Sequence, residues 1–120
     1  MNYLISAPSE SSWRMDPSEF MASLLARWPN AKVLRIRNST HFSHAWMIPT
    51  SRGILEGEFN QTESGVTVHG PFQECAAFAI WFRSLVPAER PLVFYDEGYN
   101  VHVNISTDTT AADLISAFRV

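Results

Sequence analysis

Apolar positions along the chain change period several times, and each change marks an element. Phe20, Met21, Leu24, Leu25 and Trp28 recur at helical spacing and make one face. Asp16 precedes them as an N-cap, Pro17 suits the first helical position, and Glu19 follows three residues after the cap. Pro29 ends this helix, and residues 3–7 before it read as a short strand.

Period two takes over next. In residues 32–37, Leu34 and Ile36 are expected to point one way, with Arg35 and Arg37 on the other side. Residues 42–48, Trp46 among them, are apolar on both faces, so one face of this strand is expected to meet helices and the other something else, such as a partner. In residues 54–59, Glu56 and Glu58 stand opposite Leu55 and Phe59, and residues 66–68 begin a further strand. Turns are expected at residues 38–40, 49–53 and 62–65.

The second helix spans residues 71–86. Phe72, Cys75, Ala76, Ala79, Phe82 and Val86 form its buried stripe, and Phe78, Ile80 and Trp81 widen that stripe past half the circumference. A helix so apolar is deeply buried or shares its outer side with a partner. Residues 91–95 and 99–105 are two more strands. Thr110 and Asp113 make a capping box that opens a last helix through Leu114, Ile115 and Phe118.

The order βαββββαββα predicts an α+β fold, a mostly antiparallel sheet of about seven strands with helices packed on one face. The two halves can be aligned as a βαββ pseudo-repeat that matches Pro29 to Pro87, Asn38 to Asp96 and Ile48 to Ile105. The other sheet face is then left to water.

Composition narrows the function. With 120 residues, 46% of them hydrophobic, the chain is expected to form a single domain over 1–120 with a real core. Nine basic residues are scattered among twelve acidic ones, which argues against nucleic acid as partner. No run approaches the roughly twenty apolar residues of a membrane span. A lone Cys75 forms no internal disulfide, and residues 1–13 lack the pattern of an export signal. The expected location is the cytoplasm.

Candidate chemistry is thin. Cys75 lies on an apolar stripe, where a thiol is inert. His41 and His44 are three apart, on opposite faces of a strand, and neither His69 nor His102 adds a ligand pattern, so no metal and no cofactor is expected. Glu56 and Glu58 share a strand face at about 7 Å, a spacing that suits acid–base work only beside an apolar pocket. The reading leans away from an enzyme.

Two surfaces remain. Arg35 and Arg37 are expected beside Glu56 and Glu58 on the open sheet face, with His102 and Asn104 extending it, as a charged recognition surface for another protein. The hairpin at Asp96, Glu97 and Gly98, flanked by Tyr95 and Tyr99, reads chiefly as a turn in which glycine supplies positive φ, and secondarily as an acidic docking loop. Trp13 is expected either as a lid on the core edge or as an exposed anchor.

The stretches AAFAIWFRSLVP, PLVFYDEGYN and STDTTAADLISAF together resemble a set of small bacterial proteins of no assigned activity. The resemblance lies in the C-terminal half and brings no catalytic motif. It implies a small bacterial cytoplasmic protein. The expected function is a non-enzymatic protein–protein interaction module, immunity-type or chaperone-like in character. A homodimer is a further arrangement. The alternative is a small-ligand binder or enzyme with a pocket between sheet and helices, lined by Trp28, Trp46, Trp81 or Phe82.

Overall fold

The structure is a computed structural model that describes residues 2–8, 13–37, 39–60 and 64–118. The expected turn positions at residues 38 and 62–63 lie outside the described residues. Element order is β1 (Asn2–Ser6), α1 (Pro17–Arg27), β2 (Lys32–Arg35), β3 (Phe42–Thr50), β4 (Gly53–Asn60), β5 (Gly65–His69), α2 (Phe72–Leu85), β6 (Val93–Asp96), β7 (His102–Asn104) and α3 (Ala111–Phe118). The order and the α+β class are those expected from sequence.

The seven strands form one sheet in the order β2-β3-β4-β5-β1-β6-β7, with every neighbouring pair antiparallel. Strands β2 to β5 are a meander, and β1 sits between β5 and β6. Two adjacent central strands, β1 and β5, each lead into a helix, and the following hairpins close opposite ends of the sheet. The halves differ in sense: β2 is outermost at its end, whereas β6 lies beside β1.

Local chemistry sets the helix starts. The Asp16 side chain accepts from the Ser18 amide at 3.1 Å, and Pro17 begins α1. The capping box forms at α3: Asp113 N–H donates to Thr110 Oγ1 at 3.2 Å, and Thr110 N–H donates to Asp113 Oδ2 at 2.9 Å. At the other end of α2, Arg83 folds back against carbonyls beyond the helix and is itself buried.

Strand β3 runs two residues past its expected end and includes Pro49. Its pairing with β2 stops at Met47, while its pairing with β4 continues to Thr50. On the β2 side Pro49 therefore needs no N–H, and the ladder loses nothing by its absence. Gly53, at φ 135°, returns the chain into β4.

All three helices lie on one sheet face. Phe20 of α1 meets Trp46 and Phe59 at ring centroid distances of 5.3 and 4.9 Å. Phe78 of α2 stacks on Trp46 at 5.5 Å, and Phe118 of α3 meets Tyr3 at 5.8 Å and Phe94 at 5.1 Å. The rings of Phe20, Phe59, Phe78, Phe82 and Phe94 are fully buried. Trp46 can lie flat because its cross-strand partner is Gly57: a Cβ there would collide with the indole and approach the Thr67 carbonyl at 2.8 Å.

Candidate functional site

Register decides which side chains share the uncovered face. One row crosses the whole sheet through Leu34, Ala45, Glu58, Thr67, Leu4, Tyr95 and His102. A second row places Lys32, Met47, Glu56, His69 and Asn2 together on that face. Because side chains alternate, Trp46, Phe59, Ile5 and Phe94 occupy the helix side.

This register corrects the expected charged surface. Arg35 pairs with His44, which pairs with Phe59, so Arg35 belongs to the helix side of the sheet, and Arg37 has the same parity. Glu56 and Glu58 are on the opposite face. The expected inward turn of Leu34 is reversed as well: it is 61% exposed on the open face. The physical reason is that β3 fixes the phase. Burial of Trp46 and Ile48 sets the orientation of β3, and β2 follows by pairing. All four β2 residues are exposed, so no burial of its own opposes that phase. His102 and Asn104 do share the open face with Glu56 and Glu58.

Three zones make up the open face. At the β2–β4 end, Leu34, Met47 and Ile54 are exposed apolar side chains. A cleft of about 220 Å³ lined by Asn30, Lys32, Met47, Pro49 and Ile54 borders them. In the middle, His69 Nε2 lies 3.4 Å from Glu58 Oε1, with both side chains partly exposed. With its proton on Nε2 the imidazole donates a hydrogen bond to the carboxylate. At the far end, Tyr99 stacks on His102 at 4.9 Å and leans on Tyr95 at 5.0 Å, and the Tyr95 hydroxyl lies 3.1 Å from Ser6 Oγ.

The hairpin is a turn, built differently from expectation. Asp96 is 7% exposed, and its Oδ1 accepts from the amides of Asn100 at 2.7 Å and Val101 at 3.3 Å. Through Oδ1 this buried carboxylate is committed to holding the turn. Positive φ falls on Tyr99, at 56°, and not on Gly98. The Asp96 carboxylate, which gathers two loop amides, and the stacked His102 ring hold that conformation. Glu97 stays exposed, and its Oε2 accepts from Asn2 Nδ2 at 2.7 Å. Trp13 is partly buried and packs on the core, the lid arrangement.

On the helix side, Trp28, Trp46, Trp81 and Phe82 are occupied with one another's neighbours. Trp28 stacks on Phe78 at 5.5 Å and meets Trp81 edge-on at 4.9 Å, and Phe82 meets Phe20 at 5.8 Å. Rings fill the space that the pocket alternative would need. Burial raises the Cys75 thiol to about 12, so at neutral pH it is a protonated core side chain. His44 is held below the ordinary imidazole range, first by burial and then by the neighbouring Arg35 charge. Among the described residues no group of three or more His, Cys, Asp and Glu could hold a metal ion, and no helix is long and apolar enough to cross a membrane.

Comparison of the chain with protein-family models, with curated proteins and with solved structures finds no match. The resemblance of residues 76–118 to small bacterial proteins thus rests on those stretches alone.

Proposed function

We propose that the chain is a non-enzymatic protein-interaction module that engages its partner through the β2–β4 end of the open sheet face. One observation carries this reading. Leu34, Met47 and Ile54 are exposed large hydrophobic side chains gathered on the open face of three adjacent strands, while the helix side of the same sheet is packed with buried rings. Exposed apolar groups gathered in this way mark contact surfaces. Polar neighbours Lys32, Asn30 and Glu56 give the patch a rim, the arrangement of an interface core. A cytoplasmic, bacterial setting and an immunity-type or chaperone-like role belong to the same reading, supported by one buried thiol and by the sequence resemblance.

Affinity capture with charge-inserting variants tests it. Met47→Asp and Ile54→Asp alter the patch, and Ala112→Asp alters the exposed side of α3 as a control. A protein that binds wild type and the control, fails to bind either patch variant, and does so again after purification supports the reading. Equal recovery by patch and control variants overturns it.

A further inference from the structure

The outer edge of β2 has a chemistry of its own. β2 is the last strand at its end of the sheet, and all four of its residues are exposed. The Ile36 amide donates inward to the Ser43 carbonyl at 2.8 Å. Backbone groups alternate along a strand, so the amides of Val33 and Arg35 point outward, and among the described residues no strand lies beyond them. An exposed edge of this kind is a template for another strand.

Charge on this edge has one sign. Lys32, Arg35 and Arg37 lie within six positions, with no acidic residue between them, on a chain of net charge −3. Among the described residues none of the three forms an ion pair; the ion pairs there are Arg52 with Glu74 and His69 with Glu58. Pairing two copies of this chain edge to edge would bring together three cations from each, which is unfavourable. A basic nucleic-acid surface is a poor fit, since phosphate binding needs more cations than one strand supplies.

We propose that the β2 edge takes up an extended, acidic segment of a partner protein as an additional antiparallel or parallel strand. This rests on the interaction-module reading and names the chemistry of the partner. The segment alternates. Acidic side chains two residues apart face Arg35 and Arg37 on the helix side, the apolar residue between them lies beside Ile36 on the open face, and the next apolar residue lies beside Leu34. Main-chain hydrogen bonds to Val33 and Arg35 supply register, and the charges supply choice of partner.

Synthetic peptides test it directly. One alternates valine with glutamate, and its counterparts carry glutamine or lysine in place of glutamate. Binding is read by fluorescence anisotropy at low and high salt, and its location by amide shifts in NMR. The glutamate peptide is expected to bind about fivefold more tightly than the glutamine one, the total of two exposed ion pairs, with the advantage lost at high salt. Amide shifts should centre on Val33 and Arg35. Arg35→Glu with Arg37→Glu, both surface changes, should transfer preference to the lysine peptide.

Equal binding of all three peptides, or shifts centred away from β2, overturns the inference. So does a wild-type chain that sediments as a dimer and whose Leu34→Cys variant cross-links between copies. Peptide failure with a partner still lost by Ile54→Asp removes the edge inference and leaves the module reading standing. If Ile54→Asp also changes nothing, both fall.

Discussion

Arg83 Nη2 donates to the Pro87 carbonyl at 2.6 Å, so a cation of α2 closes the loop that follows its own helix. The same guanidinium donates through Nη1 to the Arg90 carbonyl at 2.8 Å and reaches the Val86 and Ile105 carbonyls at 3.3 and 3.4 Å. These are the orphan acceptors that a helix C-terminus and an irregular loop leave behind, and a positive charge there also suits the helix dipole. Burial lowers the Arg83 pKa from its ordinary value, an effect the Glu89 charge partly opposes. The residue thus acts as a structural clamp between α2 and the entry into β6.

Replacing that clamp should be expensive. Arg83→Met keeps the apolar stem and strips the donors from several buried carbonyls. Loss of about 3 kcal/mol is expected, because charged donors contribute more than neutral ones and the acceptors are left unpaired. Arg83→Lys should rescue little, since one ammonium cannot span acceptors that the planar fork reaches together. Urea unfolding of both variants checks this; a change under 1 kcal/mol for Arg83→Met, roughly that of an ordinary surface site, would contradict it.

Gly57→Ala should destabilise by about 1–3 kcal/mol, the usual range for overpacking a closed site. The added methyl collides with the Trp46 indole across the β3–β4 pair. Trp46→Phe in the same chain removes the larger ring, so the double variant should lose less than the sum of the singles. Unfolding midpoints of the four chains measure the coupling. Additive losses would place the effect elsewhere.

Acid should weaken the fold through His44. Its folded pKa lies below the unfolded value, so the unfolded chain binds the proton more readily. The sign follows: this residue adds no penalty well above its ordinary pKa of 6.5, and the penalty grows as pH falls through that value toward the depressed one. His44→Gln should therefore show a smaller drop in Tm between pH 7.5 and pH 5.5, a window chosen to bracket the usual imidazole range. An identical drop in both proteins would exclude His44 as the cause.

Cys75 should be silent toward thiol reagents in the native state. It is fully buried and raised to about 12, and both properties suppress thiolate attack. Native protein treated with Ellman's reagent at neutral pH is expected to release colour at the rate of unfolding, and denatured protein at once. Fast stoichiometric labelling of native protein would refute this.

Much of the architecture was legible because independent signals agreed. Asp16, Pro17 and Glu19 announced α1 before its apolar face did, and Thr110 with Asp113 announced α3. Strand phase was legible only where burial enforces it. Leu55 and Phe59 face the core as their alternation indicates, whereas Leu34 and Arg35 sit on an edge strand whose orientation its neighbour dictates. The hairpin misled for a different reason. Asp96 uses its side chain to gather the loop amides, which shifts positive φ to Tyr99, and glycine content alone gives no hint of that. Arg83 carried no sequence signal beyond being a cation inside an apolar helix. Of the charged residues expected on the open face, Glu56 and Glu58 lie there and Arg35 does not.

The position of β1 sets the schedule on which this protein assembles. It lies at the heart of the sheet, yet its two neighbours come from far down the chain: Asn2 and Glu97, joined across the β1–β6 boundary, are 95 positions apart. During synthesis the β2–β5 meander can close locally, while β6 must wait until α2 has emerged. Such distant closure slows folding. Until then β1 exposes an unpaired apolar flank, and the nascent chain is most vulnerable to aggregation before β6 leaves the ribosome.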